Sequence, residues 1–370
     1  MEQLSLFDDQ IDELIPDRSE VPKVAQSGDI FQLGEHRLMC GDSTDHGCLQ
    51  KLTGGEKMDL CFTDPPYGMK KEKDGVENDN LNFDDLLEFN KKWIPLTFDA
   101  LKDTGSWYCW GLDEVLMDIY EHILKPYTKR HDEKKITFRN LLTWDKGSGQ
   151  GQLASSLRMY AIADEKCLFV MKGRQDYGET AEDYWDGFEP LRKMLDNERK
   201  KTGLTTDQLI ELAGATSITH WWSTSQWMFP NEDRYKQLQK ALRKQGFDGF
   251  RQEYDEIRQE WYKTRAYFDN TWCNMNNVWH FNRVVSGSAE YKQAGGHATV
   301  KPQAVCRRAI KTSTRRGEKV LDVFGGSGST LVACEALHRR CYMMELSPHW
   351  CDVIINRWET MTGKKARKEN

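Results

Sequence analysis

Apolar positions along the chain fall into short runs typical of buried strands and longer stretches spaced as on one face of a helix. The clearest short run is Met58–Thr63, in which a single aspartate interrupts apolar and β-branched residues. Asp64, Pro65 and Pro66 follow at once, and a strand must end there because proline has no N–H group for pairing. The pattern therefore predicts a strand that stops at an acidic, proline-rich loop.

The same periodicities predict elements over the rest of the first half. Residues 31–42 have the pattern of a hairpin that ends at Gly41 and Asp42, and residues 81–101 have the spacing of a helix that Gly105 would end. Beyond them we predict a strand at 106–110, a helix at 113–124, and strands at 136–144 and 167–171. Two stretches rich in polar residues or glycine are predicted to be mobile loops beside a site, 70–80 and 146–151.

Composition divides the second half of the chain. Tryptophan, charged residues and helix formers crowd together between residues 174 and 293, which indicates a mostly helical insertion. Neither flanking half has enough strands to bury its helices alone, so we predict that both share one sheet of an α/β fold. The predicted divisions are a tail at 1–28, a first half at 29–173, the insertion at 174–293 and a second half at 294–370.

Overall composition narrows the class of protein. With 370 residues, 38% of them hydrophobic, and a mean hydropathy of −0.74, the chain suits one large α/β domain or two smaller ones. It has no apolar run long enough to span a bilayer and no signal peptide at its acidic start, so we expect a cytoplasmic protein. The ten cysteines include no closely spaced ligand pair, which favours reduced, packed thiols and makes a metal site unexpected.

Net charge is informative only once it is divided along the chain. The whole chain carries 52 basic and 58 acidic side chains, a formal charge of −6. Its first 20 residues hold seven acidic groups against Arg18, which accounts for the full excess, so the remainder is neutral. A neutral body can present one basic face to phosphates, and nucleic acid therefore stays among the possible partners.

The loop after Met58–Thr63 offers two acceptors and a ring to one kind of substrate. An exocyclic amine of a nucleobase is a poor nucleophile because its lone pair is delocalised into the ring. If the Asp64 carboxylate and the Pro65 carbonyl each accept one of its N–H groups, the nitrogen moves toward tetrahedral geometry and directs its lone pair at an electrophile. Tyr67 can stack on the base for about 1–3 kcal/mol. The alternative is an ordinary turn in which Asp64 caps a helix and Tyr67 packs.

Six consecutive residues resemble the catalytic motif of the S-adenosylmethionine-dependent amino methyltransferases of DNA: Thr63, Asp64, Pro65, Pro66, Tyr67 and Gly68. The Asp form of that motif is usual for adenine N6, and a Ser form is usual for cytosine N4. The resemblance therefore implies methylation of adenine N6 in a base that leaves the DNA stack, at a cost of a few kcal/mol.

A second motif follows the predicted strand at 318–324. Glycines there open a helix, which leaves backbone N–H groups free for an anionic end of a ligand. Glu345, 20 residues beyond Gly325, suits an acid that bonds ribose hydroxyls, although a dinucleotide enzyme shares this spacing. The fuller pattern resembles the methyltransferase cofactor site and implies these contacts for S-adenosylmethionine: Asp42, His297, Thr299, Lys301, Asp322, Phe324, Gly325, Gly326, Gly328, Ser329, Thr330 and Glu345.

The order of the two motifs refines the resemblance. The catalytic motif precedes the cofactor motif with the insertion between them, as in the β class of these enzymes, and the likeness extends from residue 29 to residue 363. It implies a Rossmann-like class I methyltransferase sheet with permuted motif order, a target-recognition insertion and double-stranded DNA as substrate. Three alternatives stay open: cytosine N4 as acceptor, RNA as substrate, and a DNA-binding regulator without catalysis. For single residues, Asp42 could cap a helix near Ser43, His297 could be an ordinary loop histidine, and Lys301 could be solvated.

The insertion resembles a DNA-binding module. Helices are predicted at 206–213, 216–227 and 231–244, with Gly214 as the first turn. They resemble a helix-turn-helix whose second helix enters the major groove and brings four side chains to base edges, Thr219, His220, Ser223 and Gln226. In the alternative, a small helical bundle packs three tryptophans as its core, Trp221, Trp222 and Trp227.

The acidic tail contains one further signal. Five residues resemble the short peptide by which bacterial replication and repair proteins dock on the DNA sliding clamp, Gln3, Leu4, Ser5, Leu6 and Phe7. The alternative is a disordered leader whose apolar residues are accidental. We predict docking on the clamp and expect the protein to act as a monomer or a homodimer.

Overall fold

The structure is a computed structural model, and it describes residues 21, 23–69, 79–128, 136–147, 158, 160–173, 189–224, 227–262, 265–269, 275–295, 297 and 300–369. The clamp-like peptide, the loop at 70–78, residues 148–151, Gln226 and Thr299 lie outside the described residues. The chain divides into two units, one of Met1–Gly173 with Tyr267–Asn370 and one of Arg174–Ala266. No helix in the described ranges is both long and apolar enough to cross a membrane.

The first unit is built on one sheet in the order β10-β1-β2-β9-β8-β3-β4-β6-β5-β7. Its strands are β1 Ile30–Leu33, β2 His36–Cys40, β3 Met58–Thr63, β4 Leu101–Gly111, β5 Ile136–Asp145, β6 Asp164–Lys172, β7 Val278–His280, β8 Lys319–Asp322, β9 Arg340–Glu345 and β10 Arg367–Lys368. The five strands from β2 to β4 in that order are parallel, and β6 runs antiparallel to β4.

The predicted sharing of one sheet by the two halves is confirmed. Strand β3 from the first half pairs with β8 from the second, with Leu60 opposite Val320 and Cys61 opposite Leu321. The helices of this unit are α1 His46–Thr53, α2 Phe83–Ala100, α3 Asp113–Ile119, α8 Ala289–Gln293, α9 Gln303–Ser313, α10 Ser329–Leu337 and α11 Pro348–Thr362. The fold is therefore the predicted α/β fold, with both halves of the chain in one sheet. The nine described cysteines are free thiols, and eight of them are buried.

Two details of the first half differ from the prediction. Gly105 was expected to end a helix, but it lies inside β4, because Leu101 is already extended and the β3 pairing shifts register between Met58 and Leu60. The predicted helix at 113–124 ends as an α-helix at Ile119 and continues as a π-helical turn over Tyr120–Leu124. Both changes lie on the amino side of the sheet or away from the loops of the predicted site.

The second unit is a helical bundle around an apolar core. Its helices are α4 Glu189–Lys201, α5 Thr206–Ala213, α6 Glu232–Gln245 and α7 Tyr254–Tyr262, so the predicted first and third helices are confirmed. Trp221 and Trp222 are buried in this core with Tyr235 and Phe250, and Trp227 packs against it. The alternative of a bundle with a tryptophan core is the arrangement that this unit adopts.

The predicted recognition helix at 216–227 is wrong, and with it the helix-turn-helix. Among the described residues of this stretch, 216–224 and 227, the 3-10 turn Thr219–Trp221 is the only helical element. The carbonyl groups of His220 and Trp221 accept hydrogen bonds from the Met228 N–H, at 3.1 Å, and from the Trp227 indole, at 2.8 Å. A helix would use these acceptors for residues four positions ahead, so the chain folds back instead. Contacts of Thr219, His220 and Ser223 with DNA consequently stay a prediction without a helix to present them.

Candidate active site

Sheet topology brings four predicted acidic residues to one edge. Strands β2, β9, β8 and β3 are parallel neighbours, so their carboxyl ends lie side by side. An acidic residue ends or follows each strand: Asp42 follows β2, Glu345 ends β9, Asp322 ends β8 and Asp64 follows β3. Ligands of open α/β sheets bind at this edge, and the topology therefore assembles one site from residues that are up to 303 positions apart in a 370-residue chain.

One cleft at this edge is lined by both predicted motifs. The catalytic loop contributes Asp64, Pro65, Pro66 and Tyr67, and the glycine turn contributes Phe324, Gly325 and Gly326. The other predicted residues on its wall are Asp42, His297, Lys301, Asp322, Ser329, Thr330 and Glu345. Gly328 does not line the cleft; it precedes α10 in the left-handed conformation, with φ of 84°. The sheet thus brings the two motifs to the same cleft.

The catalytic loop is held from both ends. Thr63 donates its hydroxyl to Asp322 Oδ1 at 3.1 Å, which ties β3 to β8 just before the loop. At the far end, Asp79 Oδ1 accepts the N–H groups of Tyr67 at 2.8 Å and Gly68 at 2.9 Å. Pro65 has no N–H group, and its carbonyl is an acceptor in the same stretch. The loop therefore presents acceptors in a fixed conformation.

Lys301 lies between two carboxylates in the cleft. Its ammonium is 3.1 Å from Asp64 Oδ1 and 2.5 Å from Glu165 Oε2. Glu165 also accepts from Lys146, with 2.6 Å between Lys146 Nζ and Glu165 Oε1. The sequence reasoning missed Glu165 and Lys146, and it assigned Lys301 to the cofactor. The antiparallel pairing of β6 with β4 places the start of β6 at the carboxyl end of β4, and no motif in the sequence marks that position.

Burial and these charges set the ionisation of the cluster. Burial raises the pKa of Asp64 above its ordinary value, and Lys301 opposes that rise. Burial also raises the pKa of Glu165, but Lys301 and Lys146 outweigh it, so the net pKa of Glu165 lies below its ordinary value. Burial lowers the pKa of Lys301, while Asp64 and Glu165 raise it further than burial lowers it. The cluster therefore holds a charged Lys301 between the carboxyl group of Asp64 and the carboxylate of Glu165.

The glycine turn leaves a cradle over β9. A Cβ atom at Gly325 would lie 2.9 Å from Met343 Cγ, so the backbone approaches closer than any larger residue allows. Gly326, with φ of 51°, donates its N–H to Glu345 Oε2 at 2.7 Å. Ser329 opens α10, and its buried hydroxyl has no hydrogen-bond partner within the described ranges. An orphan hydroxyl, a helix start and a glycine cradle fit an anionic, nucleoside-bearing ligand.

The ionisation of Asp322 makes the free energy of unfolding depend on pH. Burial raises its pKa to about 7, although hydrogen bonds from Thr330, Phe324 and Thr63 oppose the rise. The pKa of an unfolded aspartate is about 3.9, so the folded state holds this proton more tightly and loses stability as the pH rises from about 4 to about 7.

Asp322→Asn removes this proton linkage. We expect the variant to gain about 4 kcal/mol in the free energy of unfolding, relative to the wild type, between pH 4 and pH 8, because each pKa unit corresponds to about 1.4 kcal/mol. Urea unfolding of both proteins at the two pH values measures the difference. An equal difference between the proteins at pH 4 and pH 8 would contradict the raised pKa.

The chain is similar to bacterial DNA methyltransferases over most of its length. The sequence profile of the DNA methylase family matches residues 58–356. The type II methyltransferase M.HpaI of Haemophilus parainfluenzae is 22% identical over 326 residues, 88% of this chain and 75% of that protein. M1.MboII of Moraxella bovis is 22% identical over 337 residues, 88% of this chain and 96% of that protein. The DNA adenine methyltransferase YhdJ of Escherichia coli is 32% identical over 92 residues, 25% of this chain and 30% of that protein.

Proposed function

The chain belongs to the DNA methylase family of S-adenosylmethionine-dependent amino methyltransferases, and from that membership we propose that it methylates adenine N6 in double-stranded DNA. The observation that carries the proposal is the shared cleft, which Asp64 and Pro65 line together with the turn from Phe324 to Gly326. An amine held by the first loop is thereby next to a donor held by the second.

The residues of the catalytic loop activate and orient the amine. Asp64 and the Pro65 carbonyl accept its two N–H groups, so the lone pair on nitrogen is released from the ring and points along the line of attack. Bound S-adenosylmethionine supplies an electrophilic methyl group on a sulfonium. Transfer would join this methyl group to the nitrogen at the expense of the C–S bond, and the Asp64 carboxylate, which accepts one of the N–H groups, would take the proton that the nitrogen releases. Orientation and preorganised electrostatics account for the acceleration.

The second loop is suited to the nucleoside and amino-acid parts of the donor. The carboxylate of Glu345 accepts one N–H on each oxygen, from Gly326 at 2.7 Å and Ser347 at 2.9 Å. A carboxylate oxygen accepts more than one hydrogen bond, so these two bonds are compatible with bonds from ribose hydroxyls to the same carboxylate. Ser329 and the N–H groups at the start of α10 suit the carboxylate of the methionine part.

Adenine N6 is favoured over cytosine N4 by two observations. The motif at residues 63–68 has Asp64 where the cytosine form has serine, as the resemblance implies. The local similarity to a DNA adenine methyltransferase, YhdJ, points the same way. Cytosine N4 is the second candidate because both acceptors belong to the same family of amino methylases.

Mapping modified bases in DNA from a bacterial host that expresses this protein tests the proposal. We expect N6-methyladenine at one defined sequence and none in a host that expresses Asp64→Ala. Detection of N4-methylcytosine at a defined sequence would identify cytosine N4, and not adenine N6, as the acceptor. Methylated RNA with unmodified DNA would overturn DNA as the substrate.

Target recognition is proposed for the predicted insertion, residues 174–293, which includes the helical unit Arg174–Ala266. The type II relatives support a place in a restriction-modification system of a bacterial cytoplasm. Docking of residues 3–7 on the sliding clamp stays a separate prediction, since methyl transfer does not depend on it.

A further inference from the structure

We propose that Lys301 is a positioning residue that holds Asp64 ionised and fixes its Oδ1, so that Oδ2 accepts the substrate amine. In this proposal Glu165 weakens the effect of Lys301 on the ionisation of Asp64. The inference rests on the proposed function, because Asp64 is the residue on which Lys301 acts. It assigns to Lys301 a role toward the acceptor base, whereas the sequence pattern assigned it to the cofactor.

The geometry around Lys301 is that of a buried structural cation. Its side chain is 8% exposed. Besides Asp64 and Glu165, its ammonium lies 3.2 Å from the Tyr67 hydroxyl and 4.9 Å from the centre of the Trp110 ring. An ammonium has three N–H donors, and three oxygens surround this one. Lys301 is thus fully engaged by protein groups of the catalytic side of the cleft.

The same contacts divide the two oxygens of Asp64. Oδ1 accepts from the Tyr67 hydroxyl and faces the Lys301 ammonium. Within the described residues Oδ2 accepts no hydrogen bond. A carboxylate tied through one oxygen keeps the other for an incoming donor, and the carboxylate plane is fixed by the tie. The substrate amine is therefore expected to bond Oδ2 without displacing Lys301.

Ionisation of Asp64 matters because a neutral carboxyl is a weaker acceptor. Burial favours the protonated form, and an opposite charge within about 4–6 Å lowers a carboxyl pKa by about 1–3 units. Lys301 supplies the opposite charge, and Glu165 works against it on Asp64. The other titratable groups that act on Asp64 or that Asp64 acts on are Tyr67, Asp322, Cys109, Cys167 and Cys306.

Two substitutions with opposite electrostatic effects test the proposal. Lys301→Met removes the cation, so the pH at which methyl transfer is half-maximal on the acid side should rise by about 1–3 units. Glu165→Gln removes an anion near Asp64 and leaves Lys301 paired with Asp64, so this pH should fall. The rate is measured in single turnovers at saturating S-adenosylmethionine and DNA, which removes effects on binding.

The difference between the pH midpoints of the two variants decides whether the proposal holds. The proposal requires the midpoint of Lys301→Met to lie at least about one unit above that of Glu165→Gln; a smaller or reversed separation overturns it. Asp322 is present in both variants, so its own titration cancels in the comparison. If Lys301→Met does not fold, the double variant with Glu165→Gln, which leaves no unpaired anion at residue 165, is measured in its place, and its midpoint should lie at least about one unit above that of Glu165→Gln alone.

A control and a binding measurement separate this inference from the proposed function. Lys172→Met removes a lysine from the strand that carries Glu165; Lys172 donates to the Phe98 and Leu101 carbonyls, both at 2.8 Å, outside the cleft. We expect a wild-type midpoint for this variant. Wild-type protein that transfers no methyl group to DNA would reject the proposed function itself. An active wild type, with a Lys301→Met variant that loses cofactor affinity and keeps the wild-type midpoint, would reject only the role of Lys301.

Discussion

Asp64→Ala is expected to lower the rate of methyl transfer by about 10³-fold while the affinity for S-adenosylmethionine is unchanged. Removal of one preorganised group that stabilises developing charge costs about 10²–10³-fold in other enzymes. The loss for Asp64→Ala is expected at the upper end of that range, since Asp64 also orients the amine for in-line attack. Single-turnover transfer from labelled S-adenosylmethionine measures the rate, and titration calorimetry measures the affinity.

The folded state should survive this substitution. Lys301 keeps Glu165 at 2.5 Å when Asp64 is removed, so no buried charge loses all of its partners. Asp59→Ala is the matched control, because Asp59 lies on the same strand at its amino end and pairs with Lys102 at 2.6 Å, away from the cleft. We expect near wild-type transfer from the control. Wild-type transfer by Asp64→Ala would refute the catalytic role.

Glu345→Ala is expected to weaken S-adenosylmethionine binding by about 10–100-fold. Hydrogen bonds to a charged group contribute about 1.5–3 kcal/mol each, and Glu345 lines the cleft in which the ribose hydroxyls are proposed to bind. The loss of the Gly326 contact would also loosen the glycine turn. Titration calorimetry with S-adenosylmethionine, or with the product that remains after methyl transfer, measures the change in affinity.

A second acid at the opposite edge of the sheet provides the control for Glu345. Glu318 precedes β8 at its amino end and bonds Arg315, whereas Glu345 ends the neighbouring parallel strand at its carboxyl end. Glu318→Ala should bind the cofactor as the wild type does. An unchanged dissociation constant for Glu345→Ala would remove this residue from the cofactor site and direct attention to Asp42.

Much of the fold could be predicted from sequence because the signals are local. The run Met58–Thr63 is followed by Asp64 and two prolines, and the structure gives a strand with the ends of that run. The sharing of one sheet followed from a count of strands, since each half alone would leave helices uncovered. The two motif loops follow strand ends, so placing the strands in one parallel sheet also places the loops at one edge.

The errors have a common physical origin in competition for the same backbone groups. Residues 216–227 have helical spacing of apolar side chains, yet the Trp227 indole takes the Trp221 carbonyl and the Met228 N–H takes that of His220. Gly105 is compatible with a helix end, but β4 pairs with β3 on both sides of it, at Leu101 and at Ser106. Contacts between distant residues thus decided both positions.

By itself the sequence determined the loops at residues 63–68 and 324–328, the order of these two motifs along the chain, and the family to which the chain belongs. These features depend on residue types within short stretches. Only the tertiary structure decided that Glu165 and Lys146 join Lys301 and Asp64. Those four residues come from separate elements, and ion pairing in a buried cleft depends on distances of a few ångströms that local patterns do not encode. The ionisation of the catalytic carboxylate is therefore a property of the folded chain.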